Sequence, residues 1–147
     1  MAKVRNIIDK KGKVVHTISD NKSVFEAIAQ MVECNVGSLV VINDLGLPVG
    51  ILTERDYLRR VALEGRSSRT TRVDEIMSAQ PVLVDLDTTT DDCMRLMSRY
   101  RIRHLPVVGE GVWLGGIVSM GDIVQYLATE RESEVKELKK YINGQYA

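Results

Sequence analysis

Gly50-Ile51-Leu52-Thr53-Glu54-Arg55-Asp56 returns 66 positions later as Gly116-Ile117-Val118-Ser119-Met120-Gly121-Asp122. A glycine, two apolar residues, a hydroxyl and a carboxylate at matched spacing mark an internal repeat, and a repeat sets the architecture before any other feature is read. The same shift carries Met31 to Met97, Val36 to Ile102, Leu39 to Leu105 and Val41 to Val107 without a gap. Further upstream the shift becomes 69, with Val4-Arg5-Asn6-Ile7-Ile8 parallel to Val73-Asp74-Glu75-Ile76-Met77. The first copy therefore holds about three extra residues near Lys10-Lys11-Gly12-Lys13, where glycine and lysines suit an exposed loop.

Outward from the motif, each copy reads in one order. A helical turn (residues 4–8 and 73–77) leads into a β-run (14–18 and 82–84). An amphipathic helix follows, with Val24, Ala27, Ile28, Met31 and Val32 at helical spacing in the first copy and Cys93, Met94, Met97 and Tyr100 in the second. Ser23 and Thr89 are its expected starts. Two β-runs come next, 39–43 and 47–52, joined by the turn signal Asn43-Asp44-Leu45-Gly46. Their counterparts, 105–108 and 112–118, flank Gly109-Glu110-Gly111. A second helix begins at Thr53 or Ser119. The expected division is a first repeat over 1–65, a linker over 66–72, a second repeat over 73–129 and a helical extension over 130–147. That last helix is expected to reach residue 143 or 144. Its partial stripe of Leu127, Val135, Leu138, Tyr141 and Ile142 fits either a solvated helix closing over its own domain or a dimer-stabilising one.

Composition narrows the function. With 147 residues, 44% of them hydrophobic, a packed core burying roughly two-thirds of the extended surface needs neither metal nor disulfide. Lys+Arg and Asp+Glu number 20 each, which argues against broad capture of nucleic acid or an anionic membrane. No apolar run approaches about 18 residues, and the first residues lack a signal core; a soluble cytoplasmic setting is expected. Cys34 and Cys93 sit singly among apolar neighbours, without metal or redox spacing, and read as buried small hydrophobes.

The chemistry concentrates at strand-to-helix junctions. Thr53-x-x-Asp56 and Ser119-x-x-Asp122 are capping-box patterns, yet a helix start also offers free N–H groups to phosphate, and a nearby carboxylate can accept from ribose hydroxyls. The preceding glycine, kept at one spacing in both copies, weights the reading toward a ligand. A second cluster, Arg101-Ile102-Arg103-His104-Leu105-Pro106, lies where a helix ends and a strand begins. Arginine suits bidentate phosphate contact, and histidine can donate to phosphate in either protonation state. The first copy has Gly37 and Ser38 where the second has Arg103 and His104, so only one copy supplies cations there.

The doubled Gly-hydrophobic-x-Thr/Ser-x-x-Asp motif, each preceded by a helix and a hairpin, resembles a cystathionine-β-synthase (CBS) domain pair over nearly the whole chain. Thr53-Glu54-Arg55-Asp56-Tyr57, Gly65-Arg66-Ser67-Ser68, the 101–106 stretch and Tyr141-Ile142-Asn143-Gly144 are most similar to small stand-alone CBS-pair proteins of bacteria and plant mitochondria. The resemblance implies an α/β fold of two pseudo-symmetric β-α-β-β-α units packed through their sheets. It implies two clefts for adenosine ligands, and a regulatory role toward a protein partner that the sequence does not identify. AMP is the favoured ligand, with ADP, ATP, NAD and S-adenosylmethionine the family's other choices, and assembly as a homodimer is expected. Carried over by motif, a first cleft would combine Thr53, Arg55 and Asp56 with Ile102, Arg103 and His104 and with the backbone of Gln80, Pro81 and Val82. A second would combine Ser119 and Asp122 with Val36, Gly37 and Ser38 and with backbone around Val15 and His16. Lacking arginine or histidine at 37 and 38, the second would depend for phosphate on N–H groups, Ser38 or a lysine from the 11–13 loop. The first is therefore expected to bind phosphorylated adenosine more tightly.

Nothing in the residues asks for catalysis. His16 and His104 stand in no nucleophile motif, and metal spacing, a P-loop and a G-x-G-x-x-G fingerprint are missing. Asp85, Asp87, Asp91 and Asp92 beside Thr88-Thr89-Thr90 suit a helix entry. A regulatory module is expected, with a ligand-independent interaction scaffold as the alternative.

Overall fold

The repeat governs the order of the elements in the computed structural model, which describes residues 1–109 and 111–143. The first copy runs α1 (Val4–Lys11), β1 (Thr17–Ser19), α2 (Val24–Cys34), β2 (Ser38–Ile42), β3 (Pro48–Thr53) and α3 (Glu54–Tyr57), which continues as a π-helical turn over Leu58–Ala62. The second runs α4 (Val73–Ile76), β4 (Ser78–Ala79), β5 (Val84–Asp85), α5 (Thr90–Tyr100), β6 (His104–Gly109), β7 (Val112–Ser119) and α6 (Met120–Ile142).

Local chemistry accounts for most of these boundaries. Ser23 accepts the Glu26 N–H and Thr89 accepts the Asp92 N–H, satisfying donors that the first turns of α2 and α5 would otherwise leave free. At the hairpin the Asn43 side-chain oxygen Oδ1 accepts from the N–H groups of Leu45 and Leu47, and Gly46 takes a left-handed φ of 77°. The β-runs expected at 14–18 and 82–84 shorten to β1 and β5. Val14 is exposed, because pairing with β2 begins only at Thr17. Val32 and Tyr100, assigned by spacing to the buried stripes, are exposed at 77% and 50%. Each helix is covered along one narrow face, and these positions lie beyond it. Cys93 is buried as expected, whereas Cys34 is only half-buried. α6 ends at Ile142 with Asn143 as its cap; residues 144–147 and Glu110 lie outside the described residues.

The strands form two small sheets, β1-β2-β3-β4 and β5-β6-β7. In each, the first strand runs parallel to the second and the second pairs antiparallel with the third. The first sheet gains β4 from the second copy, through Gly50 opposite Ala79 and Ile51 opposite Ser78.

The two copies exchange their leading helices. Val4, Ile7 and Ile8 of α1 pack with Cys93, Met97, Leu105, Val107, Val118 and Ile123, all from the second copy. Val73 and Ile76 of α4 pack with Ile18, Met31, Leu39, Leu52 and Val61, all from the first. Backbone hydrogen bonds repeat the exchange with pseudo-twofold fidelity. The Val4 N–H donates to the Thr88 carbonyl and the Val73 N–H to that of Lys22, at 2.9 and 2.8 Å. Arg5 donates to Leu86 as Asp74 does to Asp20. The linear division of the sequence is thus crossed by its cores, and neither copy completes a core alone.

The exchange also explains the motif glycines. A Cβ on Gly50 would lie 2.6 Å from Met77 Sδ and 2.8 Å from the Ser78 carbonyl oxygen, and one on Gly116 would lie 2.7 Å from Ile8 Cδ1. Each glycine admits the segment delivered by the other copy. Packing therefore accounts for a feature that the sequence reading counted toward ligand chemistry.

Candidate functional site

Both strand-to-helix junctions are closed capping boxes. The Thr53 N–H donates to Asp56 Oδ2 at 2.9 Å and the Asp56 N–H returns to Thr53 Oγ1 at 3.2 Å. The same bonds join Ser119 and Asp122 at 2.9 and 3.0 Å. The residues before β2 and β6 stand beside the junction of their own copy. The Glu54 N–H donates to the Gly37 carbonyl and the Met120 N–H to that of Arg103, while Ser38 and His104 are the strand partners of Thr53 and Ser119.

A cavity of about 770 Å³ is lined by Arg55 together with Arg101, Ile102, Arg103 and His104, and by Ser119, Met120 and Gly121. It gathers four residues assigned from sequence to the first cleft, and Ser119 from the second. Thr53, Asp56, Gln80, Pro81 and Val82 are not among its lining residues; Val82 packs on the second core. Among the described residues no carboxylate lines the cavity, and its charged lining is that of arginines. Burial, reinforced by the positive charges of Lys11 and Arg103 against an opposing pull from Asp122, holds the His104 imidazole below its usual pKa. Arg101 caps α5 in the left-handed conformation, φ 55°, at the position where α2 ends on Asn35 with φ 54°. Asparagine tolerates that region more readily than arginine, so the arginine sits there at some conformational cost while lining the cavity.

The second junction is arranged differently. Lys11 Nζ donates to Asp122 Oδ2 at 2.6 Å and to the Ile117 carbonyl at 2.9 Å. Beside this pair is a smaller cavity of about 260 Å³, lined by Ile7, Lys10, Lys11, Asp122, Gln125, Tyr126 and Thr129. Of the residues assigned to the second cleft, only Asp122 lines it. The His16 carbonyl accepts the Val40 N–H, Val36 packs on the first core, and Gly37 lies against the Glu54 carboxylate. Burial would raise the Asp122 carboxyl, but hydrogen bonds from Lys11 and the Ser119 N–H outweigh it and hold the pKa below its ordinary value.

Sequence reasoning offered a lysine of the 11–13 loop to phosphate; the structure puts Lys11 on the carboxylate instead. It also left unremarked that Glu54 corresponds to Met120, which places an acid beside Gly37 and an uncharged side chain beside Arg103. The aligned motifs carried that signal. Elsewhere, Asp85 accepts from the Asp87 N–H and the Thr88 hydroxyl, and Asp87 pairs with Arg5, so this acidic run serves turns and ion pairs. Among the described residues no three His, Cys, Asp or Glu side chains are grouped to hold a metal ion.

Comparison with known proteins agrees with this geometry. The CBS domain model matches residues 4–63 and again 73–129. The mitochondrial CBS domain-containing protein CBSX3 of Arabidopsis thaliana is 35% identical over 151 residues, covering 97% of this chain and 73% of that protein. A solved CBS-domain protein of Burkholderia ambifaria superposes with a TM-score of 0.80 at 42% identity, over 86% of this chain and 93% of that one. The CBS domain pair of protein MJ0100, solved with 5′-methylthioadenosine and S-adenosyl-L-methionine, gives a TM-score of 0.76 at 26% identity, over 88% and 98% of the two chains.

Proposed function

The chain belongs to the CBS-domain family, and from that premise we propose that it is a cytoplasmic, non-catalytic regulatory module that binds a phosphorylated adenosine nucleotide between its copies and signals occupancy to a partner protein. The supporting observation is the cavity of about 770 Å³ whose charged lining is wholly cationic, from Arg55, Arg101 and Arg103. Its volume falls within the range of about 300–1,000 Å³ usual for small-molecule sites. Charge-assisted, bidentate contacts to phosphate are what arginines in such a place supply. Asp56 lies outside that lining; it follows Arg55 on the first turn of α3, and the proposal gives its carboxylate to the ribose hydroxyls. AMP is the favoured ligand, and ATP or NAD adds phosphate for the remaining arginines. S-adenosylmethionine, which MJ0100 was solved with, carries a sulfonium cation that the arginines oppose.

Thermal unfolding with each ligand tests the reading. A ligand bound only by the native state adds about 2.7 kcal/mol at a hundredfold excess over Kd. AMP and ATP should raise the midpoint most and S-adenosylmethionine least. No shift with AMP, ATP, NAD or S-adenosylmethionine favours the scaffold reading.

The proposal includes a homodimer through the second half of α6, where Val135, Leu138 and Ile142 are exposed at helical spacing. Glu132 and Lys139 flank that stripe and can pair across two antiparallel copies. Light scattering on Leu138→Glu should report a monomer; an unchanged mass assigns the dimer surface elsewhere. No helix among the described residues is long and apolar enough to cross a membrane.

A further inference from the structure

The exchanged helices are unequal, and the inequality falls on one carboxylate. α1 is eight residues long and α4 only four. The extra turn carries Lys10 and Lys11 onto α6. Lys10 is anchored there by Glu130 at 3.7 Å and by the face of Tyr126, 4.9 Å from the ring centre. Lys11 reaches Asp122 Oδ2, the same oxygen that accepts the Ser119 N–H. At the first junction, among the described residues, Asp56 Oδ2 accepts the Thr53 N–H alone and no cation forms a salt bridge with Asp56. The position 69 residues beyond Lys11 is Gln80, exposed and not bonded to Asp56.

We infer that Lys11 acts as an internal plug on the second junction, so that only the first presents a carboxylate ready for ribose and the chain takes up one nucleotide before it can take up two. The inference rests on the nucleotide-binding reading above. Ribose hydroxyls are neutral donors to a carboxylate, whereas the Lys11 ammonium at 2.6 Å adds the attraction of opposite full charges to its hydrogen bond. The ligand would have to displace that bond and the one to Ile117 before the carboxylate could accept. Space beside Asp122 favours the same outcome: the cavity that Asp122 lines, about 260 Å³, falls below the usual small-molecule range. With its side chain about one-third exposed, Lys11 can swing away once a competing anion or a substitution removes the pairing.

Calorimetric titration of the full chain with AMP tests the plug. Wild type should bind about one AMP per chain, and Asp56→Asn should abolish that binding. Lys11→Met should bind about two, and Lys11→Met/Asp122→Asn should return to one. Lys11→Arg keeps the cation and should stay at one, which separates release of Asp122 from a disturbed α1. Two wild-type sites within about threefold in affinity, or Lys11→Met remaining at one site, would overturn the plug and leave the nucleotide function standing. Failure of every variant to bind AMP, ATP or S-adenosylmethionine overturns the nucleotide function and the plug with it.

Discussion

The corners at Asp56 and Asp122 are built from the same bonds and surrounded by different charges. Each is a capping box at the end of a central strand, and each is preceded by a glycine that admits the other copy's leading segment. Around Asp56 stand Glu54 and Arg55 on the first turn of α3. Around Asp122 stand Met120 and Gly121, and a lysine 111 residues away in sequence closes on the carboxylate. What the backbone requires is held in both copies, while positions that the backbone leaves free have diverged. A carboxylate in a shared motif is therefore not a shared function, because its availability depends on what the neighbouring chain delivers.

Five experiments press on this comparison. The largest effect concerns the exchange that underlies it. Ile7→Ala and Ile76→Ala should each cost about 2–5 kcal/mol in denaturant unfolding. Hydrogen exchange should show loosening in the opposite copy, with Ile7→Ala affecting β5 to β7 and Ile76→Ala affecting β1 to β3; loosening confined to the mutated copy breaks the picture. Next come the cavity arginines. Arg103→Ala and Arg55→Ala should each weaken AMP binding by about 1.5–3 kcal/mol, the worth of a hydrogen bond to a charged group, and should affect uncharged 5′-methylthioadenosine far less. The carboxylates themselves follow. Asp56→Ala should cost tenfold or more in AMP affinity and Asp122→Ala less than about threefold; equal losses would erase the asymmetry.

A pH series sharpens the comparison further. Because His104 has its pKa held below about 6.5 in the folded chain, the unfolded chain binds that proton more readily. Its contribution to stability is fully present above about pH 6.5 and is lost as pH falls through the folded value. The unfolding midpoint should decline over that interval in wild type and less in His104→Gln, and bound AMP should reduce the decline by favouring the imidazolium. The smallest effect is at Arg101. Arg101→Asn, copying Asn35, should stabilise the fold by up to about 1 kcal/mol while lowering AMP affinity; a gain in both would remove Arg101 from the ligand's surroundings.

Much of this molecule was legible beforehand because its signals are local. Ser23 and Thr89 announce helix starts, Asn43 to Gly46 announce a turn, and Thr53-x-x-Asp56 and Ser119-x-x-Asp122 announce capped junctions. A side chain's bond to its own backbone three residues away needs nothing from the rest of the fold. Val32 and Tyr100 were misplaced for the complementary reason: helical spacing identifies an apolar stripe, but how much of the stripe is covered depends on the element lying against it.

By itself, then, the sequence determined the duplication, the order of the elements, the hydroxyl and carboxylate at each junction, and the confinement of Arg103 and His104 to one copy. The tertiary structure alone decided that each leading helix completes the other copy's core, that Gly50 and Gly116 answer to that packing, and that Lys11 lies on Asp122. The physical reason is range. Capping and periodicity act over three or four residues, whereas the exchange and the lysine contact depend on apolar surfaces and charges brought together from distant parts of the chain. A constant offset within the sequence can place two copies side by side, but it cannot say which copy's helix each core will bury.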